Sequence, residues 1–247
     1  MEPTIWRVEH FEEIDSTNTY LKGRADEAEG LVAFADFQSA GRGRLDRSWE
    51  SPARSSLLCS LLFRSALDPT ELQLVVALVA LSARSAIERL SGLRASLKWP
   101  NDLVVGENKL AGLLAEVVAE GAELAVVVGI GVNLTYEGPQ GAPATSVRAE
   151  TGLTITPRAL LDILLEEIDT RRSLLESKSG RAALRAEYVN ALATLGQWVR
   201  VEQSEGEVFG RALGVDPQGR LQVEVEGDVA VFAVGDVVHV RASEVPQ

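Results

Sequence analysis

The chain has 247 residues, a formal net charge of −12 and one cysteine, Cys59. A lone cysteine excludes an intramolecular disulfide framework and a cysteine-based zinc site, and the two distant histidines, His10 and His239, leave little material for a histidine metal site. The acidic charge argues against unspecific binding to nucleic acid or an anionic membrane. The apolar runs are too short to span a membrane, and the N-terminal segment lacks the features of a signal peptide. We therefore expect a soluble protein of the reducing cytoplasm that binds neither nucleic acid nor membrane.

The first four fifths of the chain alternate between predicted strands and helices. Residues 15–18, Asp-Ser-Thr-Asn, suit the cap of a short helix. Asp68 and Thr156, each followed by proline, are start signals for two longer helices, the first running to about residue 90. A polar segment rich in glycine and arginine, residues 39–52, is expected to form a long loop. Strands are predicted over residues 31–38, 56–63, 95–99, 103–105, 109–117 and 123–133, and a last helix over about 181–195.

The pattern changes after Gly196, where short β-rich runs are separated by turns. These runs cover residues 198–202, 208–215, 221–225, 229–234 and 237–240. Five short strands in so short a segment suggest a small barrel. We therefore place a domain boundary near Leu195, giving domains of residues 1–195 and 196–247. Since no linker rich in proline or serine marks the boundary, we expect the two domains to pack closely.

The long loop carries the first candidate for binding chemistry. Residues 41–54 contain four arginines and two acidic residues, a local positive charge in an acidic protein. Glycines at positions 41 and 43 let backbone N–H groups approach a ligand, and arginine forks match phosphate oxygens. This composition is typical of a phosphate-binding loop, and equally of a solvated basic loop.

A second set of candidate residues follows the long helix. Lys98 and Lys109, two of only four lysines, lie on predicted strands that flank a tight turn. A lysine is a compact charge suited to a carboxylate or phosphate, and Gly112 leaves room for a ligand on the strand. An ordinary surface hairpin would explain Lys98, Lys109 and Gly112 as well. Residues 126–133 are an apolar segment with glycines at positions 129 and 131, and a buried core strand that bends at these glycines explains that segment. The sequence has no P-loop motif and no nucleophile-elbow motif.

Taken together and in this order, the motifs resemble those of the biotin–protein ligases. The matching segments are residues 15–18, 38–44, 98–102, 109–112 and 129–133, with a weaker match at 144–146 and a C-terminal match at 235–239. The resemblance implies an α+β fold of the biotin/lipoate ligase type, with a mixed β-sheet flanked by helices and a C-terminal SH3-like barrel. It also implies two reactions. Biotin and ATP form biotinyl-5′-AMP and pyrophosphate, and a lysine of an apo biotin carboxyl carrier protein then takes the biotin and releases AMP.

The resemblance further implies a set of site residues. The catalytic residues are Lys109, Arg42 and Arg44. The biotin-binding residues are Ser16, Thr17, Asn18, Gln38, Arg42, Gly43, Arg44, Lys109 and Gly112. The nucleotide-binding residues are Arg44, Trp49, Lys98, Asn101, Lys109, Gly129, Gly131 and Asn133. ATP implies Mg²⁺, with Asp102 as its possible contact. An aromatic beside a motif is more often packing than contact, so Trp49 and Trp99 are first expected to pack.

Two departures from the family pattern carry expectations. Bifunctional members have a helix-turn-helix repressor domain before this region, and only 15 residues precede Ser16, so we expect a monofunctional ligase. Residues 134–144 are short and lack the tryptophan with which some members cover the adenine. The oligomeric state, monomer or homodimer, stays open. The alternatives are a lipoate- or octanoate-protein ligase or transferase of the same superfamily, and a non-catalytic module that binds biotin or a carrier protein.

Overall fold

The computed structural model describes residues 6–45, 47–65, 67–118, 124–203, 206–233 and 235–240. Within these ranges the chain forms a seven-stranded mixed sheet, flanked by helices, and a separate five-stranded antiparallel sheet. The α+β fold expected from the sequence is confirmed.

The larger sheet has the strand order β1-β2-β3-β7-β6-β5-β4, and only β1 and β2 pair in parallel. Its strands are β1 (Arg7–Phe11), β2 (Leu31–Ala35), β3 (Ser56–Ser65), β4 (Ser96–Lys98), β5 (Asp102–Val105), β6 (Asn108–Val118) and β7 (Leu124–Asn133). The central strands β3 and β7 are buried along nearly their whole length, which is why both appear in the sequence as continuous apolar runs. The predicted strands are confirmed with shifted ends, whereas the edge strand β1 was not predicted.

Helices cover both faces of this sheet. They are α1 (Thr17–Lys22), α2 (Gln73–Ser91), α3 (Val147–Thr151), α4 (Pro157–Arg172) and α5 (Lys178–Ala191). Leu21 of α1 packs on one face, and the apolar sides of α2 and α4 pack on the other. The segment Pro69–Ser91 is long and apolar enough to cross a membrane, but 67% of its most apolar window is buried in the protein, as expected of a core helix.

Helix caps explain where the predicted helices begin and end. The side chains of Ser16 and Thr156 accept backbone N–H groups of α1 and α4, as predicted, while Asp68 caps a short 3-10 turn that precedes α2. The last helix, expected over about residues 181–195, lies three to four residues nearer the N-terminus, as α5 runs from Lys178 to Ala191. The helix stops at Ala191 because the next residue, Leu192, forms a bridge with Leu97 of β4.

The C-terminal sheet has the strand order β11-β10-β9-β8-β12. Its strands are β8 (Trp198–Gln203), β9 (Gly206–Val215), β10 (Leu221–Val225), β11 (Asp228–Phe232) and β12 (Asp236–Val240). All five were predicted to within two residues, and Val234 falls outside the described residues. Over the described ranges β11 and β12 are the edges of the sheet and no closed barrel forms, and this separate antiparallel sheet is the SH3-like C-terminal unit expected from the sequence.

Trp99 joins the two sheets. It is 2% exposed, its indole Nε1 donates to the carbonyl of Gly219 at 2.9 Å, and its backbone N donates to Thr194 Oγ1 at 3.0 Å. The expectation that Trp99 packs is therefore correct. The domain boundary near Leu195 stays a prediction, although the contacts of Trp99 agree with close packing of the two sheets.

Candidate active site

A cavity opens on the face of the large sheet that carries α1, beneath the loop between β2 and β3. Fourteen of the predicted site residues line it, and Lys98 and Asn133 line an adjoining cavity. Trp49, Asp102 and Lys109 border both cavities. The residues in the main cavity are Ser16, Thr17, Asn18, Gln38, Arg42, Gly43, Arg44, Trp49, Asn101, Asp102, Lys109, Gly112, Gly129 and Gly131. The fold therefore brings together motifs that lie more than a hundred residues apart in the sequence.

The floor of the cavity is a chain of polar side chains. The backbone N of Thr17 donates to Gln38 Oε1 at 2.8 Å, and the Thr17 hydroxyl lies 2.7 Å from that of Ser60. Ser60 Oγ donates in turn to Asn18 Oδ1 at 2.6 Å. Because Gln38 Oε1 already accepts from Thr17, its amide N–H groups remain for a ligand. Ser60 was missed in the sequence, where the only signal was a polar residue inside a buried strand.

Two glycines of β7 leave space for side chains from other elements. A Cβ added at Gly129 would collide with Asn18 Oδ1, and one added at Gly131 would collide with the indole of Trp49. The indole also lies against Gly112 on the neighbouring strand, and its buried Nε1 has no hydrogen-bond partner among the described residues. Both glycines are thus required by close approach within the protein itself.

The arginines of the loop are held by partners from distant elements. Arg42 Nη1 donates to Glu116 on β6 at 3.0 Å, and Arg44 Nη1 donates to Asn101 Oδ1 at 3.1 Å. Burial lowers the pKa of Arg44 from its ordinary value. A third arginine, Arg47, forms an ion pair with Asp236 of the C-terminal sheet, and both residues line the cavity.

Lys109 lies where the two cavities meet. Its Nζ is 2.8 Å from Asp102 Oδ1 and 5.7 Å from the centre of the Trp49 ring. Its backbone is fixed by the loop that precedes α3, since Lys109 N donates to Pro143 O at 2.8 Å and its carbonyl accepts from Thr145 N at 2.9 Å. A lysine anchored in this way is a positive charge that can meet an anion from either cavity.

Comparison with known proteins assigns the family. Residues 10–133 match the model of the Biotin/lipoate A/B protein ligase family, and residues 194–240 match that of the Biotin protein ligase C terminal domain. The chain belongs to the biotin/lipoate A/B protein ligase family. The resemblance drawn from the sequence motifs is therefore confirmed.

Individual relatives agree with this membership. The chain is 34% identical over 235 residues to the biotin–[acetyl-CoA-carboxylase] ligase of Mycobacterium tuberculosis, covering 92% of this chain and 86% of that one. It is also 34% identical over 218 residues to the enzyme of the same name from Paracoccus denitrificans, covering 84% of this chain and 90% of that one. The solved Aquifex aeolicus biotin protein ligase in complex with biotin and ATP superposes with a TM-score of 0.81 at 27% identity, covering 96% of this chain and 99% of that one.

The structure reveals two partners of the cavity-loop arginines that the sequence motifs alone did not identify. Glu116 was part of a predicted strand without a role, and Asp236 belonged to the C-terminal domain. Each binds an arginine of the cavity loop. Asn133 is buried and donates through Nδ2 to Thr145 O at 3.0 Å, so one end of its amide is already occupied.

Proposed function

We propose that this protein attaches biotin to a lysine of a carboxylase carrier protein in an ATP-dependent reaction with biotinyl-5′-AMP as the intermediate. One observation carries the proposal. Two arginines of a glycine-rich loop and one lysine of a neighbouring strand, Arg42, Arg44 and Lys109, line a single cavity beside a polar floor. The names of the relatives from Mycobacterium tuberculosis and Paracoccus denitrificans support the same reaction.

The floor suits the ureido ring of biotin. That ring presents one carbonyl acceptor and two N–H donors, and the floor offers the amide N–H groups of Gln38 and the hydroxyls of Ser16 and Thr17. Leu58 and Leu114 provide apolar wall for the remainder of the molecule. We assign biotin to this floor, with its carboxylate directed towards Lys109.

In the first step a biotin carboxylate oxygen attacks the α-phosphorus of ATP, and the bond to pyrophosphate breaks. Two anions must approach each other while negative charge grows on the phosphate oxygens, so positioned cations dominate the catalysis. We propose that Lys109 contacts both the biotin carboxylate and the α-phosphate. Arg42 and Arg44 bind the phosphate oxygens. A charged hydrogen bond of this type contributes about 1.5–3 kcal/mol.

In the second step the neutral amine of the carrier lysine attacks the acyl carbon of the adenylate, and AMP leaves. An unperturbed lysine, with a pKa of about 10.4, is only about 0.04% neutral at pH 7. Positioning of the amine beside the anhydride contributes to this step. A closed loop over the anhydride would exclude water that would otherwise hydrolyse it.

Mg²⁺ belongs to this proposal as the companion of the ATP phosphates, whose charge it neutralises. The described residues contain no group of three or more histidine, cysteine or acidic side chains that could hold a metal alone. Asp102 Oδ1 is paired with Lys109, so Asp102 has one oxygen left for an ion that is coordinated mainly by phosphate oxygens. That pattern fits Mg²⁺, which takes one or two carboxylates and keeps substrate and water oxygens.

The setting of the reaction is also proposed. We place the ligase in the reducing cytoplasm, since Cys59 is the single cysteine of the chain and leaves no intramolecular disulfide to be formed. The acidic net charge of −12 favours partners other than nucleic acid. The proposal holds for a monomer and for a homodimer alike.

ATP–pyrophosphate exchange distinguishes the proposed substrate from lipoate. We expect exchange of labelled pyrophosphate into ATP that requires biotin and is not supported by lipoate or octanoate. Exchange that requires lipoate or octanoate would assign the protein to the lipoate branch of the family. Absence of exchange with any of these acids, together with measurable biotin binding, would favour a non-catalytic module.

A further inference from the structure

One carboxylate that the proposed mechanism does not use lies against the cavity. Glu116 stands on the same face of β6 as the cavity residue Gly112, and its side chain is 18% exposed. Its oxygens accept hydrogen bonds from Asn18 Nδ2 at 3.0 Å, from Lys22 Nζ at 2.8 Å and from Arg42 Nη1 at 3.0 and 3.3 Å. Glu116 is thus a single contact point for the floor, for α1 and for the loop.

The bond from Asn18 connects Glu116 to the whole floor. The hydroxyls of Thr17 and Ser60 lie 2.7 Å apart, and Ser60 donates to Asn18 Oδ1 at 2.6 Å. Because Asn18 Oδ1 accepts from Ser60, the amide N–H groups of Asn18 must face the other way, towards Glu116. A continuous chain of polar contacts therefore runs from Thr17 on the floor to Arg42 in the loop.

The neighbours of Glu116 stabilise its ionised form. Burial raises its pKa, but the hydrogen bonds from Lys22 and Asn18 and the charge of Arg42 outweigh burial and lower it. The carboxylate thus stays ionised between two cations that would otherwise repel each other. The side chain of Arg42 is 44% exposed and long, so without this anion it would sample many rotamers in solvent.

We propose that Glu116 is a positioning residue that couples the occupied floor to the closed loop by holding Arg42 over the adenylate. The inference rests on the proposed function, because it presumes that biotin lies on the floor and that Arg42 contacts the ligand. Glu116 engages Arg42 through Nη1, which leaves Nε and Nη2 available for the carboxylate or phosphate of the ligand. Glu116 itself touches no reacting atom.

Release of preformed biotinyl-5′-AMP from the holoprotein tests this role. Glu116→Gln keeps the shape of the side chain and removes its charge, and we expect adenylate to dissociate about tenfold faster, the low end expected for loss of one charged hydrogen bond. Glu116→Asp keeps the charge but reaches less far, and we expect intermediate release. Glu166→Gln on α4, whose side chain is 57% exposed, is the matched control and should release adenylate as the wild type does.

A double-mutant cycle separates positioning from a general loss of structure. If Glu116 acts through Arg42, Glu116→Gln should change the release rate less than twofold in an Arg42→Gln background. Equal effects of Glu116→Gln in both backgrounds would overturn the proposal, as would wild-type release from a folded Glu116→Gln protein. If Glu116→Gln does not fold, release from Glu116→Asp equal to that of the wild type overturns it. Failure of the wild type to form any adenylate from biotin and ATP would instead overturn the proposed function.

Discussion

Arg44 and Asn101 are joined by a hydrogen bond of 3.1 Å that ties the cavity loop to the turn between β4 and β5. Asn101 is fixed in turn by β6, because Leu113 N donates to its carbonyl at 2.9 Å and its own Nδ2 donates to the carbonyl of Leu113. Asn101 therefore presents its Oδ1 to Arg44 in one orientation. This bond holds the arginine inside the cavity.

Removal of this anchor should let adenylate escape. In Asn101→Ala the partly buried Arg44 loses its acceptor, and we expect biotinyl-5′-AMP to dissociate about five- to tenfold faster, with the larger effect in Arg44→Gly. The measurement is the decay of preformed adenylate after rapid dilution. Asn108→Ala, at the exposed hairpin tip, is the control. Unchanged retention in both Asn101→Ala and Arg44→Gly would contradict the role given to Arg44.

Lys109 should be essential for the first step and dispensable for the fold. Its side chain is 39% exposed, so Lys109→Ala should retain the wild-type thermal midpoint. We expect biotin-dependent pyrophosphate exchange to fall at least about 10²-fold, as when one preorganised donor to a developing charge is lost. Lys178→Ala, at an exposed lysine of α5, provides the comparison. Near-normal exchange by Lys109→Ala would refute its assignment.

The two glycines of β7 should affect different substrates. Gly129→Ala pushes on Asn18 at the floor, so we expect it to raise the KM for biotin more than the KM for ATP. Gly131→Ala pushes on the indole of Trp49 between the cavities, so we expect the reverse. Overpacking of this kind costs about 1–3 kcal/mol, which converts to a change of roughly 5- to 150-fold. Steady-state kinetics with each substrate varied in turn measures the difference, and equal effects of both variants on both substrates would speak against this division.

His239 should make the stability of the protein depend on pH. Its side chain is 9% exposed, and burial, assisted by the charge of Lys98, lowers its pKa despite the opposing carboxylate of Glu107. Below its unfolded pKa of about 6.5 the unfolded chain binds a proton that the folded chain resists, so stability falls as the pH drops. We expect the urea midpoint to fall more between pH 7.5 and pH 5.5 in the wild type than in His239→Gln. Equal slopes would show that His239 contributes nothing.

Local signals predicted much of this fold, and contacts between distant elements account for the differences. Helix starts at Ser16 and Thr156 followed from caps that act within one turn. The end of α5 did not, because it depends on the bridge from Leu192 to β4. The strand order of the C-terminal sheet has a similar cause, since it depends on long-range strand pairing that alternation within each strand does not specify.

In the candidate site, too, local motifs could be predicted and long-range contacts could not. Its motifs could be identified because glycine, arginine and lysine stand in short segments with recognisable chemistry. Their partners could not, since Ser60, Glu116 and Asp236 are single polar residues in strands, and each gains its role from a side chain far away in sequence. Gly129 and Gly131 of β7 were implied as nucleotide-binding residues, and in the structure Asn18 and Trp49 lie against them.

Transfer of radiolabelled biotin to an apo biotin carboxyl carrier domain tests the central claim most directly. The account predicts incorporation into the carrier that requires both ATP and biotin, and accumulation of biotinyl-5′-AMP on the protein when the carrier is omitted. Incorporation of lipoate in place of biotin, or binding of biotin without any transfer under conditions where the protein is folded, would contradict it.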